Sequence, residues 1–428
     1  MLQPSIQPQS EQYFREKFGS NGSMNKLQKS DFAIHNWYRF VLSYPPHLVR
    51  DYLNRFGLIN TNKVVLDPFC VTGTTLVEAK KNAVSSVGIE SHPMPYLASK
   101  IKTDWSIDAE DLLKHALNIA KTAESKLNTP LKTLDEEKMK LLIKDSIDQI
   151  PLHKSLVLID CINNSEETPF KEYETLALAK ALVFSISNLH FGPEVGVKGH
   201  KVDVDVISLW LDEIRTMAAD ISLNNDNYIE AKILHGDSRN ILELLEPNSI
   251  DAVITSPPYP NEKDYTRTTR LESVLLGLIN SKKELQDIKK GLVRSNTRGI
   301  YKVDTDDQWI LNNPRVVELA GFIESKRISM GKTSGFEKNY HKVTRLYFGG
   351  MAKHFADLRS VLKHGALLAY VVGDQASYLQ VMIRTGQILG EIAQSLGYEV
   401  IGLDLFRTRI ATATKEQLRE EVLLLRWP

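Results

Sequence analysis

Two adjacent prolines, Pro257 and Pro258, directly follow a short apolar run, and that junction restricts the architecture more than any other feature of the chain. Ile250, Ala252, Val253 and Ile254 are too few for a helix and apolar enough for a buried strand over 251–255. The prolines forbid both continued strand pairing and a helix interior, so the strand must run out into a stiff loop. They fix two φ angles and remove two backbone donors, which leaves the carbonyls around Ser256 and Pro257 open to donors from elsewhere. Ser256 adds a side-chain acceptor and Tyr259 a flat face, a set suited to an exocyclic amine on a planar ring.

Upstream, Val64 to Leu66 suits a central parallel strand. Asp67-Pro68-Phe69-Cys70-Val71-Thr72-Gly73 then makes a tight loop leading into a helix over 74–83. Such a loop presents backbone N–H donors at a helix start, where a carboxylate or phosphate can sit. Ser86-Val87-Gly88-Ile89-Glu90 reads as a second short strand ending in an acid, the placement that holds ribose hydroxyls in dinucleotide folds. A third, from Ala231, ends in Gly236-Asp237-Ser238, where Asp237 can accept from an adenine amino group.

Taken together, the Asp67-Pro68-Phe69 to Thr75 segment, Glu90 and Ser256-Pro257-Pro258-Tyr259 resemble the motifs of amino-group DNA methyltransferases that use S-adenosyl-L-methionine (AdoMet). The N4-cytosine type is most similar, since Asp replaces the serine more often in N6-adenine enzymes. The resemblance implies an α/β, Rossmann-like sheet with helices on both faces and a terminal antiparallel hairpin. It implies AdoMet contacts from His35, Pro45, Asp67, Phe69, Gly73, Thr74, Thr75, Glu90 and Asp237, with Tyr44 and Ser238 as further candidates. It assigns catalysis to Ser256, Pro257, Pro258 and Tyr259, acting on a cytosine flipped from double-stranded DNA, with Asn261, Asp264 and Tyr265 shaping the pocket. A cognate restriction endonuclease is the implied partner, and no metal is required. An N6-adenine target, a guanine amine in RNA and a non-catalytic DNA-binding relative are alternatives that the residues leave open. The family pattern has Gly where this chain has Val71, and a β-branched residue disfavours positive φ, so an extended φ is predicted there.

Lys+Arg and Asp+Glu both total 53, so any nucleic-acid surface must be local. Lys263 to Arg345 carries 17 basic residues against 10 acidic ones, which makes Lys282, Lys283, Lys289, Lys290, Arg294 and Arg298 the DNA-contact candidates. Cys70 and Cys161 are the two cysteines, too few for a disulfide framework. Neither follows a proline, which argues against the Pro-Cys nucleophile of carbon-5 cytosine enzymes. No apolar stretch reaches about 18 residues and the polar N-terminus lacks a signal core, so a cytoplasmic protein is expected.

The predicted organisation is a disordered N-terminus (1–30), an AdoMet-binding half (31–104), a helical insertion (105–230) and a catalytic half (231–264). A basic target-recognition region (265–345) and the C-terminal part of the catalytic domain (346–428) follow. Helical spacing of apolar residues marks 108–127, 134–148, 173–189, 204–222, 351–362 and 385–396, with a Gly-rich loop at 190–200. Strands are predicted at 366–374, 398–406 and 421–427.

Overall fold

The computed structural model describes residues 6–20, 22–40, 43–166, 168–192, 194–224, 229–261, 263–411 and 415–428. The chain lays down β1 (Val64–Asp67) and β2 (Ser85–Glu90), then a small hairpin of β3 (Leu189–Phe191) and β4 (Val195–Val197). It continues with β5 (Ala231–His235), β6 (Ile250–Thr255), β7 (Leu362–Gly373), β8 (Glu399–Ile410) and β9 (Gln417–Arg426). Seven of these form one α/β sheet in the order β5-β2-β1-β6-β7-β9-β8. Pairing is parallel from β5 through β7, and β9 runs antiparallel to both β7 and β8. The strand order reverses between β1 and β6, and in open α/β sheets ligands bind beyond the carboxyl ends of the strands at such a reversal.

Side chains alternate across each strand, so one sheet builds two cores. Val65, Ala252, Ile254, Ala369, Val371, Val422 and Leu424 face the helices Glu11–Phe18 and Pro46–Arg55. Their neighbours Leu66, Val253, Leu368, Tyr370, Val372, Leu423 and Leu425 face the helices Tyr340–Leu358 and Thr385–Ser395. The near-continuous apolar composition of β6 and β7 follows from this double burial.

The insertion is helical: Ala109–Lys126, Gln149–Asn163, Phe170–Ala181 and Val206–Ser222 pack together. Its core is shared with Trp37, Val77, Met94 and Ala98 of the preceding half, so it braces the sheet layer. The helix predicted over 134–148 shrinks to Glu136–Leu141, because Leu142 is extended and Asp145 is left-handed at φ 59°. Gln149–Asn163 was not predicted; Pro151 reads as a breaker, yet a helix tolerates proline in its first turn. The helix predicted over 173–189 gives way to a π turn at Leu182–Ile186, and the Gly-rich loop contains β3 and β4, with Pro193 outside the described residues.

Part of the N-terminus corrects the expectation of disorder. Glu11–Phe18 is a helix that buries Phe14 completely, edge-on to Phe406 at 5.4 Å. Ile6 and Met24 are buried in the same core and Tyr13 and Phe18 pack against it, which outweighs the polar composition around them; residues 1–5 lie outside the described ones. In the basic region, Pro314–Ser329 forms an unpredicted helix, and Tyr340–Leu358 starts well before Met351. Gly349 breaks the apolar pattern there for a packing reason, since a Cβ would lie 2.0 Å from the Asp306 carbonyl oxygen. Among the described residues no helix is long and apolar enough to cross a membrane.

Candidate active site

The carboxyl ends of β1, β2, β5 and β6 open into one cavity of about 610 Å³. Phe69, Val71 and Thr74 line it from the loop after β1, Glu90 from the end of β2 and Ser238 from the turn after β5. Ser256, Pro257, Pro258 and Tyr259 line it from the loop after β6, and Tyr44 and Pro45 from the segment before the first sheet helix. Two motifs almost 190 residues apart in sequence therefore meet because β1 and β6 are neighbours.

The loop after β1 is built on two left-handed residues. Gly73 has φ 77° and caps the helix Thr74–Lys81, and a Cβ there would come within 3.0 Å of the Ser99 Cβ. Val71 also lies in the left-handed region, at φ 47°, which corrects the expected extended backbone. Its N–H donates to Glu90 Oε2 at 2.9 Å, and the Gly73 N–H donates to the Cys70 carbonyl at 2.7 Å. The turn thus needs the glycine-like conformation that the family pattern implies, and Val71 adopts it under tertiary constraint. No side chain caps the helix Thr74–Lys81, so its first N–H groups remain available beside the cavity.

Glu90 also accepts from the His92 N–H at 2.8 Å. Burial raises its carboxyl to about 7, against the lowering effect of these N–H donors. Each oxygen keeps a lone pair for a further donor.

Several residues expected to touch the cofactor stand behind the cavity. Asp67 is fully buried and accepts from Thr255 Oγ1 at 2.6 Å, from the Tyr44 hydroxyl at 3.0 Å and from the Phe69 N–H at 3.2 Å. Burial raises it to about 6, with those hydrogen bonds pulling the other way. Thr75 donates to the Ile254 carbonyl at 3.0 Å and contacts the Tyr44 hydroxyl. Asp67 and Thr75 therefore bolt the β1 loop to the strand that carries Ser256. His35 is farther back, where its Nε2 donates to Glu78 Oε1 at 2.6 Å while Arg50 joins Glu78 to Asp31. Burial lowers His35 to about 4, so it stays neutral beside the carboxylate. Asp237 is gripped by Arg239 through Nε at 3.0 Å and Nη2 at 2.6 Å, and does not line the cavity.

In the loop after β6 Ser256 Oγ donates to the Val371 carbonyl at 3.2 Å, and the Tyr259 N–H points to the Tyr265 hydroxyl at 3.4 Å. Tyr259 packs over Gly373, where a Cβ would lie 3.1 Å from its ring. Asn261 and Tyr265 line the cavity, whereas Asp264 is buried, caps the turn at Tyr265–Thr268 and pairs with Lys289 at 2.7 Å. Burial pushes Tyr265 up to about 12.

No protein-family profile matches the chain. It is 23% identical to the Type II methyltransferase M.BsoBI of Geobacillus stearothermophilus over 424 residues, covering 90% of this chain and 82% of that one. The chain is similar to Type II methyltransferases. M.AvaI of Nostoc sp. is 28% identical over 168 residues, 37% of this chain and 33% of its own length. M.MjaII of Methanocaldococcus jannaschii is 30% identical over 96 residues, 22% and 18% of the two chains.

Beside these relatives, the candidate DNA-contact residues divide. Arg294 is buried, pairing with Asp304 at 2.7 and 3.0 Å and donating to backbone carbonyls of Lys289 and Lys290. Lys289 is held by Asp264, Lys290 pairs with Asp287 and Arg298 lies 5.3 Å over the Phe336 ring. Lys282 and Lys283 open the helix Lys282–Lys290. Cavity residues that the sequence did not flag include Gln375, Phe406, Arg407 and Glu420, and Phe40 and Lys263 line it as well. Phe406, Arg407 and Glu420 reach it because β8 and β9 fold beside β7, and Gln375 follows β7 itself. Among the described residues no group of three or more His, Cys, Asp or Glu side chains is placed to hold a metal ion.

Proposed function

We propose that this chain is an AdoMet-dependent Type II DNA methyltransferase that methylates the exocyclic N4 amine of a cytosine turned out of the duplex, paired with a restriction endonuclease of the same specificity. The observation that carries this reading is the single cavity onto which both the Ser256–Tyr259 loop and the ends of β1 and β2 open. Near-complete alignment with M.BsoBI supports the reaction class.

The residues present fit AdoMet. The uncapped start of the helix Thr74–Lys81 suits a carboxylate, and the spare lone pairs of Glu90 suit two ribose hydroxyls. Phe69 supplies an aromatic wall and Tyr44, Pro45 and Thr74 close the site. When bound, AdoMet supplies an electrophilic methyl group on a positively charged sulfur.

The protein's own part is to prepare the amine. A cytosine amine is a weak nucleophile because its lone pair is delocalised into the ring. Ser256 Oγ and the Pro257 carbonyl accept its hydrogens and draw the nitrogen towards a pyramidal form, an interaction that strengthens as positive charge develops. Proline at 257 and 258 keeps those acceptors fixed without reorganisation. Tyr259 stacks on the base, offsetting an extrusion cost of a few kcal/mol. Ser256 donates to the Val371 carbonyl and is a poor base, so the surplus proton passes to water after transfer. Ser in place of Asp at this position supports cytosine over adenine.

Radiolabelled AdoMet incubated with mixed-sequence duplex DNA, followed by digestion to nucleosides, tests this directly. Labelled N4-methylcytosine is the expected product. N6-methyladenine would overturn the base assignment, and no incorporation together with no AdoMet binding would overturn the enzyme. A nuclease gene next to the coding sequence is expected for the restriction-modification pairing.

A further inference from the structure

A second concavity, of about 520 Å³, adjoins the catalytic cavity and shares Gln375, Ser377 and Arg409 with it. Three separate parts of the chain build its walls. Lys326 and Lys332 come from the end of the helix Pro314–Ser329 and the turn behind it, Gln380 from the segment after β7 and Arg409 from the end of β8. Leu379 and Gln380 are both left-handed, at φ 54° and 60°, so the backbone turns sharply along the edge of the groove.

The lining is cationic, with three basic side chains against Glu337. Lys326 makes no ion pair among the described residues. Lys332 approaches Glu337 only at 3.5 Å with its side chain 45% exposed. Arg409 approaches Glu420 at 3.8 Å, but Glu420 is already held by two nitrogens of Arg407, at 2.5 and 2.7 Å. All three cations thus keep donors for something outside the chain. Lys263 lines the catalytic cavity together with Arg409 and lies within electrostatic reach of it. Burial holds the Lys263 ammonium below its usual range, Arg409 pushes the same way and Glu194 opposes. Crowded like charges facing a polar cleft are relieved by an anion.

We infer that the phosphodiester backbone flanking the everted nucleotide passes Arg409, which both concavities share, and runs into this groove, where Lys326 and Lys332 neutralise phosphates. Ser377 and Gln380 are exposed along the same path and supply neutral hydrogen bonds to phosphate oxygens. The assignment moves the main phosphate track away from the basic stretch around Arg294, whose guanidinium is spent inside the fold. It rests on the methyltransferase reading for the identity of the polyanion as duplex DNA.

The test is a fluorescence-anisotropy titration of a labelled duplex at several salt concentrations, with thermal melts to verify that each variant is folded. The Lys326→Ala/Lys332→Ala double variant is expected to flatten the slope of log affinity against log salt by about 1.8, at about 0.9 per lost phosphate contact. A Lys282→Ala/Lys283→Ala variant, at the start of the helix Lys282–Lys290 and outside the groove lining, is expected to keep the wild-type slope. An unchanged slope in the groove variant, or flattening confined to the Lys282/Lys283 variant, overturns the inference. Methyl-transfer assays on the wild type separate the two ideas. Transfer with an unchanged groove-variant slope rejects the groove alone, whereas a flattened slope without any transfer rejects the methyltransferase reading and keeps the groove.

Discussion

Replacing Val71 by glycine isolates the energetic consequence of the loop after β1. Val71 sits at φ 47°, half-buried at the cavity wall, with its N–H held by Glu90. A left-handed L-residue costs about 1–2 kcal/mol, which glycine would relieve. Against this, glycine loses more backbone entropy on folding, about 0.5–1 kcal/mol. Removing a half-buried valine side chain forfeits roughly half of its full transfer value, about 1 kcal/mol. The contributions nearly cancel, so Val71→Gly is expected to lie within about 1 kcal/mol of wild type. At an extended position the relief would vanish, and the same change would cost about 2 kcal/mol. Denaturant unfolding monitored by circular dichroism measures the difference, and a loss of about 2 kcal/mol or more would refute the strain argument. AdoMet affinity, measured by calorimetric titration, is expected to change by less than about tenfold, or about 1.4 kcal/mol. Tighter binding than that would show that the valine side chain obstructs the ligand.

Three other substitutions probe the remaining roles. Ser256→Ala is expected to lower methyl transfer on the order of a hundredfold while leaving AdoMet affinity intact, since it removes an acceptor that acts as charge develops; equal loss of both would place Ser256 in the cofactor site instead. Glu90, raised to about 7 by burial, is protonated below that pH in the free protein, and ribose hydroxyls donate to its ionised form. AdoMet affinity should therefore climb with pH through about 7 and then level off, and Glu90→Gln should flatten the profile; a wild-type profile already flat there would contradict this. Arg294→Ala strands a buried Asp304, so unfolding free energy should fall by about 3–5 kcal/mol in a denaturant melt. Wild-type stability combined with weakened DNA binding would return Arg294 to the phosphate surface.

The local chemistry was readable from the chain. A run of β-branched residues stopped by Pro257-Pro258, and another stopped by Asp67-Pro68-Phe69 before Gly73, specify strand, loop and helix through φ restriction and side-chain period alone. Those strands appear at Ile250–Thr255 and Val64–Asp67. The sequence also located Glu90 and the Ser256–Tyr259 loop at strand ends, which is where they line the cavity.

Which side of a motif faces a ligand was decided elsewhere. Asp67 and Thr75 belong to the right segment but turn inward, because β6 supplies Thr255 and the Ile254 carbonyl as partners nearly 190 residues away. Asp237 is claimed by Arg239, His35 by Glu78 and Arg294 by Asp304, each through a buried ion pair or hydrogen bond that composition cannot announce. Val71 shows the same division most clearly: its residue type argues for an extended backbone, and the Glu90 carboxylate across the loop holds it left-handed. Sequence by itself thus determined the strands that carry the two motifs, the loops that end them and the acceptor set after Thr255, since these follow from torsional limits and periodicity within a few residues. Only the tertiary structure decided which polar groups face the cavity and which are consumed in holding it together, because a buried charge goes to whichever partner the fold brings within hydrogen-bonding distance.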